Sequence, residues 1–237
     1  MPRGRPAKVD HVRDAFLEEC KKAEALVAAI RALPRKVNAS KKPGIHPKYS
    51  DQVIGLAFMG LIASWEEFIE RSLVRYLTGA TTGSNYQPHL KAGRANTIGH
   101  AYKLLSMNPN YNPNNFYLKV TNVSWVKKVA DFYFSKHPFE CLHNNNDLLK
   151  HASHIRNRIA HDSTKCKADF KATALHFLQP ANKMLTQGYG PANLLMAPVQ
   201  RHFGQAAINQ QLTHLAAYVD LLRSLARKIV LGCGTVN

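Results

Sequence analysis

Acidic residues are scarce in this chain: 15 Asp and Glu stand against 32 Lys and Arg, leaving a formal charge of +17 before any of the 12 histidines is counted. Such a balance favours phosphate-rich partners. It is not confined to a tail, because residues 1–48 hold 12 basic and 5 acidic groups and the remainder is also basic. Cysteine is equally sparse. Cys20, Cys141, Cys166 and Cys233 show no C-x-x-C pairing and lack the density of a secreted disulfide scaffold, so they read as reduced thiols in a cytoplasmic protein. The opening residues are polar and basic with no apolar signal region. The longest apolar stretch, Val53 to Trp65, is too short and too interrupted to span a bilayer, so no membrane association is expected.

Other absences narrow the chemistry. There is no phosphate-cradling glycine loop, no serine or cysteine nucleophile arrangement and no pair of catalytic carboxylates. No run alternates apolar and polar residues as a half-buried strand would, and there is no internal repeat. With 45% apolar residues over 237 positions, a sizeable core should form. The expectation is an all-α helical bundle.

What is present is helical spacing. Val12, Phe16, Cys20, Ala23, Val27, Ile30 and Leu33 recur at three- and four-residue steps after Asp10, and Pro34 closes the segment. Residues 35–48 read as a linker. A long helix begins at residue 49, with Ile62, Trp65, Ile69, Leu73 and Tyr76 on one face. Weaker patterns cover 95–107 and 122–136. Trp125, Phe132, Tyr133 and Phe134 in the second read as core, not as a base-stacking platform, since nothing interleaves them with exposed basic residues. Asn144 to Asn146 offer an N-cap for a helix running to about His161. Further helices are expected over 164–178 and, as one unbroken element, from about Gln205 to Val230 with Gly232 as its stop. The chain thus divides into an extended basic arm (1–9), a helix and linker extension (10–48) and a main helical domain (49–237).

The segment "IRNRIAHD", residues 155–162, stands out. An Arg five positions before a His is expected about 0.7 times by chance in this composition, but with Asn directly after the Arg the expectation falls to about 0.05. The helix turns Leu148, Ala152, Ile155 and Ile159 inward. At 100° per residue, His151, His154, Asn157, Arg158 and His161 project within one third of its circumference. These are groups that bind phosphate and move protons near neutral pH, where a merely solvated face would be Lys and Glu.

These residues resemble the HEPN (higher eukaryotes and prokaryotes nucleotide-binding) domains, whose ribonuclease members carry Arg, four to six residues, then His, often with a polar residue after the Arg. "RNRIAH" fits, and the upstream "LIASWEEFIERSL" looks like the first helix of such domains. The resemblance covers about residues 49–231. It implies a helical bundle that forms a homodimer and acts as a metal-independent endoribonuclease in a toxin–antitoxin or antiphage defence setting, with RNA as substrate and an antitoxin or defence component as partner. The 2′-OH of the RNA would be the nucleophile, leaving a 2′,3′-cyclic phosphate. His161 would then be the general acid or base, Arg156 would neutralise the phosphoryl oxygens, and Asn157 would orient a phosphate oxygen or the histidine. These roles suit the residue types. His154 and Arg158 are nearby candidates for RNA contacts, and no cofactor is implied.

Geometry constrains this reading. Arg156 and His161 lie about 140° apart on an ideal helix, whereas Asn157 and His161 are about 40° apart. A shared site across a twofold axis would bring both to one phosphate. Three alternatives compete. One is a metal held by His151, His154 and His161 or by Cys141 and His143, although only His151 and His154 have good spacing. Another is a non-catalytic HEPN-like module binding nucleic acid or a protein, with His161 capping its helix. The last concerns "PRGRPAK", where Arg3, Gly4, Arg5 and Pro6 resemble an AT-hook core for the minor groove of A/T-rich DNA.

Overall fold

The computed structural model describes residues 8–34, 36, 44–91, 93–181 and 184–231; Arg3 to Pro6 and Gly232 lie outside them. Among the described residues no strand forms, and the helical spacing becomes α1 (Asp10–Ala32), α2 (Pro47–Leu77), α3 (Ile98–Ser106), α4 (Val123–Tyr133), α5 (Glu140–His143), α6 (Asn146–Ala160), α7 (Thr164–Leu178), α8 (Pro191–Met196), α9 (Gln205–Asn209) and α10 (His214–Leu231). The all-α class is therefore shown. The chain forms two compact units, one within 8–17, 64–146 and 223–231, the other within 18–63 and 147–222.

The first unit is built on aromatic packing. Phe16 from α1 meets Trp65 and Phe68 from α2, with each ring centroid 5.5 Å away, so the early stripe of α1 finds its partner there. Tyr76 is fully buried and donates to the Ile229 carbonyl at 2.8 Å. Helix α2 ends at Leu77 and the chain turns at Gly79, whose φ of 80° belongs to the left-handed region. A Cβ there would also strike Arg94, so glycine fits both conformation and space. Thr97 and Asn122 cap α3 and α4 by accepting from the backbone N–H groups of His100 and Trp125.

One expectation fails in α4. Tyr133 and Phe134 are buried, but Phe132 remains 61% exposed and Trp125 is only half-buried. Trp125, Lys128 and Phe132 stand at i, i+3 and i+7, and Lys128 is exposed. An exposed basic residue therefore does lie between the rings, contrary to the reading of this segment as core.

In the second unit, Phe58 on α2 packs on Tyr218 of α10, and Gly55 lies against Ile159 of α6. Helix α6 buries Leu149, Ala152 and Ile155, while Leu148 and Ile159 are half-buried. By length and composition α2 could cross a membrane, but half of its most apolar window is buried inside the protein.

The expected single helix over 205–230 is broken. Leu212 accepts from the Val199 N–H at 2.8 Å and the His214 N–H donates to Ala197 at 3.0 Å, around an isolated bridge between Pro198 and Thr213. Gln211 adopts a left-handed φ of 51°. Backbone groups needed for helix are diverted to the 197–199 segment, and Leu212 packs with Phe203 and Ile208 on Val199, Ala207 and Ala217. Tertiary pairing has overridden a good helical pattern.

Candidate functional site

Helix α6 carries the motif because its apolar positions recur on one face, and its end is set by the cap of the next helix. Ser163 adopts an extended backbone and accepts from the Cys166 N–H at 3.2 Å, starting α7. His161 and Asp162 are therefore the turn between two helices, both exposed. The His161 N–H still donates to the Asn157 carbonyl at 2.9 Å, so its backbone extends the α6 hydrogen-bond ladder by one residue.

Arg156 and Asn157 are both half-buried, and the Arg156 guanidinium donates to the Asn157 side-chain oxygen at 2.9 Å. The structure thus brings these two side chains together. His161 stands one turn beyond Asn157, with its ring on the surface. Arg158 turns toward the same end of the helix, donating to the His161 carbonyl at 3.3 Å and pairing with Asp162 at 2.9 Å. Lys167 from α7 reaches Asp162 as well, at 2.8 Å. These cations hold the Asp162 carboxyl below the usual carboxylate range, the Lys167 hydrogen bond being the largest cause. Over residues 147–171 six Lys and Arg face three Asp, so the motif sits in locally basic sequence.

His151 and His154 take a different direction. Both are half-buried and both place Nδ1 near the Thr173 hydroxyl of α7, at 2.9 and 3.1 Å. The His151 ring stacks on His176 with centroids 4.5 Å apart, and His176 stacks on His202 at 4.2 Å. Phe177 borders the column, 5.1 Å from His151 and 5.7 Å from His202. Burial pushes the His151 imidazole down to about 4, helped by His176 and His154. His154 and His202 are also lowered, chiefly by burial. These rings favour the neutral form. A helical face that looks uniform on a wheel is thus split into an inward histidine column and an outward motif.

The chain matches no known protein family, curated protein or solved structure in the three comparisons made. The chemistry of the site rests on its own residues.

Among the described residues, no three His, Cys, Asp or Glu side chains are placed to hold a metal ion together. The sequence alone does not single out Thr173, His176 or His202. His176 and His202 lie 15 and 41 positions beyond His161, and no spacing rule links them to α6. The abundance of histidine was the available signal, and only the α6–α7 packing gives it a position.

Proposed function

We propose that the chain is a HEPN-like, metal-independent endoribonuclease acting in the cytoplasm, with Arg156, Asn157 and His161 at its centre. The observation that carries this reading is the end of α6, where Asn157, bound by the Arg156 guanidinium, lies one helical turn before an exposed imidazole. An RNA 2′-OH would attack the adjacent phosphorus while the bond to the 5′ oxygen breaks, giving a 2′,3′-cyclic phosphate and a 5′-OH end. His161, exposed at the end of α6, takes or returns the proton as general acid or base. The Arg156 guanidinium, held by its hydrogen bond to Asn157, neutralises the phosphoryl oxygens, where charge accumulates. Asn157 fixes the guanidinium. A homodimer, in which His161 of the partner subunit meets the same phosphate as Arg156, resolves the angle between Arg156 and His161. An antitoxin or another defence component would be the protein that restrains cutting.

The test is cleavage of total cellular RNA in EDTA by the wild-type chain, His161→Ala and Arg156→Ala, with melting curves on each. A loss of about 10²-fold or more in folded His161→Ala, and cyclic phosphate ends in wild-type products, are the expected results. Mixing the two variants should restore part of the activity if the site is shared. A second reading is favoured by the way these polar side chains satisfy one another, Arg156 with Asn157 and Arg158 with Asp162. It makes the chain a non-catalytic module that binds nucleic acid or a protein. Binding without cutting by the wild-type chain would select it.

A further inference from the structure

The first unit carries rings that stay largely exposed while resting on buried ones, Phe116 against Tyr111 at 5.9 Å and Phe132 against Tyr133 at 4.9 Å. Tyr117 is 91% and Phe116 52% exposed, and both precede α4, whose outer face holds half-buried Trp125, exposed Lys128 and exposed Phe132. At 100° per residue these three fall within about 60° of one another. Trp125 and Phe132 are about 10 Å apart along the helix axis, or about three steps of a stacked strand at ~3.4 Å each.

The charge around the rings has one sign. Residues 116–136 contain Lys119, Lys127, Lys128 and Lys136 against the single Asp131. That carboxylate is engaged by Lys127 at 2.6 Å and by the buried His137 at 2.9 Å. Lys119, Lys128 and Lys136 are exposed. A purely apolar face would suit a protein partner, but rings with interposed ammonium groups on a chain of +17 suit bases and phosphates.

We propose that the outer face of α4, with Phe116, Tyr117 and Lys119 leading into it, binds single-stranded RNA. Trp125 and Phe132 stack on bases, and Lys128 meets the phosphate between them. Stacking tolerates any base, so the strip holds RNA without reading its sequence. The choice of RNA over DNA rests on the ribonuclease reading of the α6 motif, whereas the strip itself does not require cutting.

The experiment measures binding of the full chain to a fluorescein-labelled, 2′-O-methylated 20-nucleotide RNA of mixed sequence. This probe lacks the free 2′-OH and cannot be cut by the proposed route, so binding is read whether or not the chain is a nuclease. Phe132 and Lys128 are exposed, so Phe132→Ala and Lys128→Glu should leave the chain folded, which a melting curve on each variant checks. Phe132→Ala should weaken Kd about ten-fold, and Lys128→Glu should weaken it and lower the salt dependence by about one phosphate contact. RNA should quench the tryptophan emission of the wild-type chain, and Trp125→Phe should remove that quenching, since Trp65 is buried. A wild-type chain that cuts nothing but shows these losses retains the strip while the nuclease reading falls. Affinities of both variants within two-fold of wild type would overturn the proposal. So would tighter binding of single-stranded DNA of the same sequence, or a change in sedimentation of Phe132→Ala with RNA affinity intact, which would make the face a protein contact.

Discussion

Thr173 has one hydroxyl proton and faces two imidazole nitrogens, Nδ1 of His151 at 2.9 Å and Nδ1 of His154 at 3.1 Å. Its proton satisfies one of them at most. The other histidine must therefore carry its own proton on Nδ1 and donate to the Thr173 oxygen. Thr173 is fully buried, so it fixes the tautomer of at least one ring in the column. Thr173→Val keeps the shape and removes that oxygen, and it should cost about 1–3 kcal/mol through unsatisfied nitrogens. Urea unfolding of the two proteins measures the difference, and equal midpoints would refute the assignment. Phe177 is the larger packing element, since its ring lies within 6.4 Å of His151, His176, His202, Phe203, His214 and Tyr218. Phe177→Ala should destabilise by about 3–5 kcal/mol, again read by urea.

At the scale of elements, the α6–α7 turn is short, and the two helices depend on different signals. Ser163 caps α7 in an exposed position, so Ser163→Ala should cost about 1 kcal/mol and lower the melting temperature. No change in melting would mean that the cap contributes nothing. Much of this element was legible in the sequence. The stripe of Ala152 and Ile155 marked the buried face of α6, and Asn144 to Asn146 marked its start. Arg156, Asn157 and His161 were legible as a motif because they are local, lying within six residues. Spacing alone could not reveal that His151 and His154 turn onto α7, because a helical wheel shows which residues share a face but not what covers it. The same limit applies to Phe132, whose sequence surroundings resemble those of buried Tyr133 and Phe134. The break before α10 was hidden for another reason. Leu212, Leu215 and Val219 keep helical phase, and only pairing with the distant Val199 and Ala197 backbone stops the helix. Short α8, with Pro191 in its first turn and the Asn193 side chain accepting from the Gly190 N–H at 2.8 Å, lies between the helices expected over 164–178 and 205–230, where no helical spacing marks it.

At the scale of the whole molecule, the sum of these burials sets how stability responds to acid. His151, His154, His202 and His214 all have their imidazoles lowered by burial, His151 to about 4. In the unfolded chain each takes up its proton near about 6.5. Below that pH the unfolded chain holds more protons than the folded one, so stability falls as pH drops from about 6.5 toward 4. Above about 7 both states carry neutral rings and the contribution is fully present. Glu70 acts the other way, since burial raises its carboxyl while the Tyr102 hydroxyl donates to it at 2.8 Å. One raised carboxyl opposes four lowered imidazoles, and the histidines prevail. One further feature deepens the loss: a chain already at +17 gains more charge of the same sign as it takes up protons. The melting temperature should therefore be lower at pH 5.0 than at pH 7.5 at fixed ionic strength. His151→Gln, which cannot titrate, should narrow that difference. A melting temperature equal or higher at pH 5.0 would show that the column does not oppose its own protonation.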